Sequence, residues 1–405
     1  MAPAPGDTTA NDGGSHPAAA RPPSRAAKAI LGVPWSDAPR LVPGLVFAAA
    51  VMYAAHSLAA LLGRGVLRLQ GIDPAGKPSP ISGIMVAILL GMAIANTVAV
   101  PRLFRPGLDF AMKKALRLGI ILVGIRLSAL DVVALGALAI PVVATIVVAA
   151  LIVTRAFAKK IGVSEGFGTL AAAATAICGI TAALAVAPVI EADDREVAYT
   201  VAIVTLFGAL AMFVDPYLAH ALFGRVSASV GLFLGTGIHD TSQVMGAALS
   251  YKELFHDERA LKIATVTKLT RNVFLAAVVP LLAYLHAKRS GKSAGRVRVA
   301  SLLPLFVLGF LAMAVVRSGG DAMLSKGSLA FGVWDPASWA ALTKMLGETW
   351  AGFALATAMA AVGLGTRFDV FRGLGARPLY VGAVSAATVS ALALVLAALV
   401  GPLLR

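Results

Sequence analysis

From about residue 41 onward, long apolar runs alternate with short polar connections. Each run is near the ~20 residues that an α-helix needs to cross ~30 Å of hydrocarbon. About eleven such runs can be counted. They lie at approximately 41–63, 80–98, 107–127, 133–154, 167–189, 195–215, 228–249, 259–286, 299–317, 338–364 and 379–403. Residues 1–38 are different: rich in Pro, Ala, Gly and Ser, with no hydrophobic period. They are expected to form a disordered cytoplasmic tail, leaving 39–405 as the transmembrane domain. No cleavable signal is expected, because the first apolar run is already of full membrane length.

Composition agrees with this pattern. Hydrophobic residues make up 59% of the chain and charged residues only 14%, against about 25% charged in soluble domains. The fold class expected is an all-α polytopic membrane protein. The formal charge of +15 is no sign of nucleic-acid binding, since multispanning proteins collect Lys and Arg in cytoplasmic loops. With the N-terminus inside, the even-numbered connections hold Arg102 and Arg105; Arg155, Lys159 and Lys160; Arg225; Lys288, Arg289, Lys292, Arg296 and Arg298; and Arg367, Arg372 and Arg377. The other side receives Glu191, Asp193, Asp194, Glu253, Asp257 and Glu258, with Arg64, Arg68 and Lys77 dissenting. The bias predicts an N-in, C-out chain. The single cysteine, Cys178, excludes an internal disulfide and any multi-Cys metal site. No Walker-type phosphate loop is present, which argues against direct ATP drive.

Two segments echo each other. Gly124-Ile125-Arg126-Leu127 leads to Asp131-Val132, and Gly363-Leu364-Gly365 leads through Arg367 to Asp369-Val370. Lying seven runs apart, they should point in opposite directions, as in the inverted repeats of secondary transporters. A second echo joins Arg195-Glu196-Val197 to Arg259-Ala260-Leu261. These are only two runs apart and should be parallel, which conflicts with inversion.

Two runs are interrupted at mid-depth. The fifth contains Thr175-Ala176-Ile177-Cys178-Gly179-Ile180-Thr181, and the seventh contains Gly235-Thr236-Gly237-Ile238-His239-Asp240-Thr241-Ser242-Gln243. A broken helix exposes unpaired N–H groups at a half-helix N-terminus, an end that attracts anions. Small residues there also serve close packing. A charged group at mid-bilayer costs roughly 2.5–3.5 kcal/mol on insertion scales, so the His239, Asp240 and Gln243 cluster points to function. Thr236, Asp240 and Gln243 would share one helical face. The eighth run adds Lys268 and Arg271, a cationic pair fit for an anion. The candidate substrate site is therefore Cys178, Gly179, Thr181, Thr236, Gly237, His239, Asp240, Thr241, Gln243, Lys268 and Arg271. Asp240, His239 and Glu348 are candidates for the coupling ion or proton. Of the basic residues that open the third run, Lys113 and Lys114 read as an interfacial face, while Arg117 could reach the pathway.

Taken together, Ala176-Ile177-Cys178-Gly179 with Ala187-Pro188, Gly237-Ile238-His239-Asp240-Thr241 with Gln243-Val244, Ala264-Thr265 with Lys268-Leu269-Thr270-Arg271, and Gly124-Ile125-Arg126-Leu127-Ser128 resemble the YeiH-type sulfate exporter family of bacterial inner-membrane proteins. The resemblance runs from about residue 41 to the C-terminus. At a greater distance the chain is similar to bile-acid-symporter-like and sodium–proton-antiporter-like folds, which implies paired inverted repeats with broken helices. The expected function is secondary transport of a small anion, sulfate or a sulfonate-like species, driven by a proton or sodium gradient. The partners expected are that anion, the proton or sodium ion and the lipid bilayer, with no cofactor. The alternatives are a sodium-coupled symporter of an organic anion, using Thr175, Thr181, Thr236 and Ser242 as ligands, and an intramembrane metal-dependent enzyme built on His239-Asp240.

Overall fold

The structure, a computed structural model, describes residues 33–77, 79–224, 226–290, 302–371, 373 and 375–404. Most of the expected tail 1–38 lies outside the described residues, as do Arg225, Lys292, Arg296, Arg298 and Arg372. The described residues are helical almost throughout: α1 (Val42–Leu69), α2 (Gly83–Thr97), α3 (105–126), α4 (Ala129–Lys160), α5a (Glu165–Ala176), α5b (Ile180–Val189), α6 (Asp194–Phe223), α7a (Ser227–Gly237), α7b (Thr241–Phe255), α8 (Glu258–Arg289), α9 (Leu305–Ser325), α10 (Pro336–Gly365) and α11 (Ala376–Leu403). Among these, α1, α4, α6, α8, α9, α10 and α11 are long and apolar enough to cross a membrane unaided. The chain is an all-α polytopic membrane protein.

All the expected apolar runs are present, but two of them do not cross. The twelve residues of α5a cover only about 18 Å at 1.5 Å per residue, and the chain then turns back. Ser164, at its entrance, donates a hydroxyl hydrogen bond to Glu196 at the start of α6. Ile190, at the exit, lines the same small recess as Glu165 and Gly166. The second hairpin does the same from the other side. Phe255, at the exit of α7b, stacks on His220 near the end of α6 with ring centroids 3.7 Å apart. Tyr251 donates to the Gly224 carbonyl at 3.3 Å, three residues before α7a begins. The expected full spans at 167–189 and 228–249 are therefore re-entrant hairpins that enter from opposite faces and meet at mid-depth.

This corrects two loop placements. The connection bearing Glu191, Asp193 and Asp194 belongs to the face of Arg155 and Arg289, which both pair with Glu165. Gly224 and Val226 belong to the opposite face, where Tyr251 bonds the Gly224 carbonyl. With two hairpins replacing two crossings, the parity of the remaining passes is unchanged.

The hairpins also remove the conflict over the second echo. The α6 and α8 helices run in opposite directions, and each follows a hairpin. Each begins with an Asp cap, Asp193 accepting from Glu196 N and Asp257 from Ala260 N. Each carries a proline at the same distance inside, Pro216 and Pro280. Likewise α3 and α10 each contain a π-helical stretch, Ala111–Ala115 and Met345–Trp350. The repeat is inverted, with units α2–α6 and α9–α11 plus α7–α8; the second unit's hairpin and following helix come first in the chain.

Packing divides the helices into two layers. One is a scaffold of α1, α2, α3, α9 and α10; the other is a core of α4, α6, α8, α11 and both hairpins. With Cys178→Ala as background, Val163→Cys and Ala192→Cys should react with an impermeant maleimide from one face, and Val226→Cys and His256→Cys from the other. Opposite labelling within either pair would restore a full crossing.

Candidate functional site

The tips of the hairpins surround the middle of α8. The α7a helix comes close because Gly231 and Gly235 face Ile263 and Thr267 of α8, with α8 carbonyls 2.9 Å from where each Cβ would stand. Small residues at such spacing let helix backbones touch. The α5a and α7a arms both end at mid-depth, leaving their last carbonyls without intrahelical partners. Lys268 and Arg271 of α8 supply those partners.

The Lys268 ammonium donates to Ile177 O at 3.0 Å, to Ile238 O at 3.2 Å and to His239 O. Arg271 donates to Ala176 O at 2.7 Å, Thr236 O at 2.7 Å, Ile238 O at 3.0 Å and Thr175 O. Both side chains are fully buried. Three carbonyl acceptors around one Nζ require three N–H donors, which only the charged ammonium has. Each arm brings about half a negative charge at its C-terminal end, so the two cations answer the helix dipoles as well as the bare carbonyls. Unwound backbone at this depth is tolerated because protein satisfies it.

The turns at the tips have local causes. Gly179 adopts φ +65° and ψ −125°, a conformation open to glycine alone. Its N–H bonds Ala174 O at 2.9 Å, and an added Cβ would lie 3.1 Å from the Asp240 carboxylate. In the second tip, Asp240 caps α7b: its Oδ1 accepts from Ser242 N at 2.8 Å and from the Ser242 hydroxyl at 2.6 Å. Gln243 Oε1 accepts in return from Asp240 N at 3.3 Å, completing a capping box. The break at Ile238–Asp240 means that Thr236, Asp240 and Gln243 do not share the helical face expected of a continuous span.

A cavity of about 410 Å³ leads from the face of Arg367 down to the tips, between scaffold and core. Its outer wall carries Lys113, Arg117 and Arg367, and its inner end carries Cys178, Thr181, Asp240, Thr241, Gln243 and Asn272. The Arg117 guanidinium carbon stands 5.7 Å from the centre of the Phe306 ring. Lys113 faces the cavity rather than forming only the interfacial face expected of it.

Of the residues singled out from sequence, Cys178, Thr181, Asp240, Thr241 and Gln243 reach this cavity, and Gly179 forms the turn beside it. The Thr236 hydroxyl is turned onto Leu232 O of its own helix at 2.6 Å. Gly237 packs against Phe233 and Asp215. The buried His239 ring leaves Nδ1 without a partner. Lys268 and Arg271 lie behind the tips, their hydrogen bonds committed to backbone. Glu348 stands apart from all of these, in an ion cluster on the opposite face: Arg126 pairs with Glu348 at 2.8 Å and also with Glu258.

Asn272 and Asp215 are among the buried polar residues not singled out from the sequence. Asn272, one position beyond Arg271, lines the cavity, bonds Thr241 Oγ1 at 3.4 Å through Nδ2 and leaves Oδ1 unpartnered. Asp215, beside Gly237, is 5% exposed and leaves Oδ2 unpartnered. Its signal was an acidic residue followed by proline near the end of an apolar run, which reads equally well as a loop.

A family model described as "Conserved hypothetical protein 698" matches residues 43–382. The chain belongs to this family. The "UPF0324 membrane protein" of Bacillus cereus is 31% identical over 320 residues, covering 77% of this chain and 85% of the relative. The "UPF0324 membrane protein TauZ" of Paracoccus pantotrophus is 34% identical over 251 residues, 61% of this chain and 71% of the relative. A "UPF0324 membrane protein" of Nitratidesulfovibrio vulgaris is 28% identical over 247 residues, 59% and 67%. No solved structure matches. The YeiH-type resemblance agrees with this membership, and the Conserved hypothetical protein 698 member described here is a multi-pass protein of the bacterial inner membrane.

Two substitutions test the tip geometry by thermal melting in detergent. Gly179→Ala should cost about 1–3 kcal/mol through backbone strain. Arg271→Ala strands several carbonyls at about 1–3 kcal/mol each and should cost more, whereas Lys113→Ala should leave the melt near wild type. A wild-type melt for Arg271→Ala would remove the clamp.

Proposed function

We propose that the chain is a secondary active carrier of a small anion, sulfate or a sulfonate-like species, driven by a proton or sodium gradient. The observation that carries this reading is the cavity: open to one face, lined by Lys113, Arg117 and Arg367, and ending on two opposed hairpin tips. Its volume of about 410 Å³ falls within the range of small-molecule sites. At its end the uncharged polar groups Asn272, Thr241, Thr181 and Gln243, able to replace part of an anion's hydration shell, stand beside the Asp240 carboxyl.

Alternating access follows from the layers. The cavity is open where scaffold and core part, and on the opposite face the Arg126–Glu258 pair ties α3 of the scaffold to α8 of the core. Movement of the core against the scaffold breaks that pair and closes the present opening. Substrate-bearing tips then meet the other side, as in carriers with midplane sites between inverted repeats. The unpartnered Asp215 carboxyl beside Gly237 joins His239 and Asp240 as a proton-carrying group, in the position where intramembrane carboxyls commonly relay protons.

In proteoliposomes, labelled sulfate or taurine should accumulate. Arg117→Ala and Asn272→Ala should each lower uptake about tenfold or more, a loss of ~1.4 kcal/mol in binding. Asp215→Asn should flatten the pH dependence of uptake while sparing counterflow exchange. Wild-type flux in both cavity variants would overturn the placement of the substrate, and an unchanged pH profile would overturn the role of Asp215.

A further inference from the structure

Lys268 is held in an unusual way for a buried cation. None of its hydrogen bonds goes to a carboxylate; all go to main-chain carbonyls. Those carbonyls come from both hairpins, Ile177 from the first and Ile238 and His239 from the second. Arg271 frames the cage from one side, sharing Ile238 O and holding Thr175, Ala176 and Thr236. The oxygens therefore stay together whichever group stands among them. Carbonyls at unwound half-helix ends are the ligands by which broken-helix transporters hold sodium. Here the same kind of cage is filled by an ammonium tethered to α8.

The internal symmetry sharpens the point. Lys268 and Arg271 stand at the same distances after the Asp257 cap as Val204 and Phe207 stand after the Asp193 cap of the inverted counterpart α6. The counterpart places the Val204 side chain 3.0 Å from the Cβ site of Gly179 and brings no charge. One half of the repeat thus donates the cation to a single shared cage between the tips.

We propose that the Lys268 ammonium is a built-in surrogate for an exchangeable monovalent cation, and that removing it uncovers a cation-binding site made by Ile177 O, Ile238 O and His239 O. A tethered ammonium cannot leave with the substrate, so this cage holds the tips together on every cycle without consuming sodium. Gradient coupling then falls to protonatable groups. Ile177 O and Ile238 O stand 3.0 and 3.2 Å from Nζ with His239 O as the third ligand, an all-carbonyl set that fits a small monovalent cation such as sodium, potassium or methylammonium. This inference deepens the carrier reading and rests on it for its meaning, but its test reads the cage itself.

The experiment compares melting temperatures of the purified full chain in sodium, potassium, methylammonium and choline chloride at equal ionic strength, for wild type, Lys268→Ala and Lys268→Arg. Wild type and Lys268→Arg should melt alike in all four salts. Lys268→Ala should melt lower in choline and recover by several degrees in a saturable manner with a small cation, as a ligand that binds only the folded state requires. Sodium-specific stabilisation of wild type would overturn the proposal. So would a folded, monodisperse Lys268→Ala indifferent to every cation. Should Lys268→Ala not survive purification in choline, recovery of folded, monodisperse protein in potassium or methylammonium supports the proposal, and failure in every salt defeats it. Absence of sulfate transport leaves these melts untouched, so the two readings fail separately.

Discussion

Two helix ends of like polarity face each other in the middle of a membrane protein, and the structure depends on what stands between them. Bare carbonyls at that depth have no water to turn to, and two half-charges of one sign repel. Lys268 and Arg271 resolve both difficulties at once, as donors and as counter-charges. The hairpins can therefore stop at mid-depth, and because they stop there, their far arms begin there too. The cavity floor is a by-product of the clamp: residues just past each break, from Thr181 on one side and Asp240 to Gln243 on the other, are delivered to the same place.

Much of this was legible in the sequence. Long apolar runs located the helices, and polar insertions at 175–181 and 235–243 located the breaks. The capping boxes Asp193…Glu196 and Asp240…Gln243 emerge with the structure; in the sequence Asp240 and Gln243 read as one face of a continuous helix. Direction was not legible. An apolar run of the length of 167–189 fits a crossing and a hairpin equally well, because hydropathy records depth and carries no sign of heading. The echo between α6 and α8 bore on it, since a hairpin in place of a crossing between them is what makes these two helices antiparallel.

The roles of the charges were less readable than their positions. Lys268 and Arg271 stood out because charge inside an apolar run is costly. Whether they faced a ligand or the chain's own backbone depended on where the carbonyls of Thr175 to Ile177 and Thr236 to His239 would lie, and those positions follow from tertiary packing. Asn272 and Asp215 were overlooked for the opposite reason. An amide next to an arginine and an acid next to a proline are unremarkable until burial removes their partners. Glu348 shows the reverse case: mid-run by sequence, it belongs to a surface ion cluster at the end of α3.

The paired π-helical stretches carry a last consequence. Ala111–Ala115 and Met345–Trp350 lie near the starts of α3 and α10, helices that run in opposite directions, and so lie towards opposite faces. One contains Lys113 and Lys114; the other contains Glu348. The shared helix geometry does not extend to the charges, since Glu348 is held in an ion pair with Arg126 while Lys113 lines the cavity. Two halves alike in architecture thus carry different charges at matching ends: two lysines near the start of α3, and a glutamate paired with Arg126 near the start of α10.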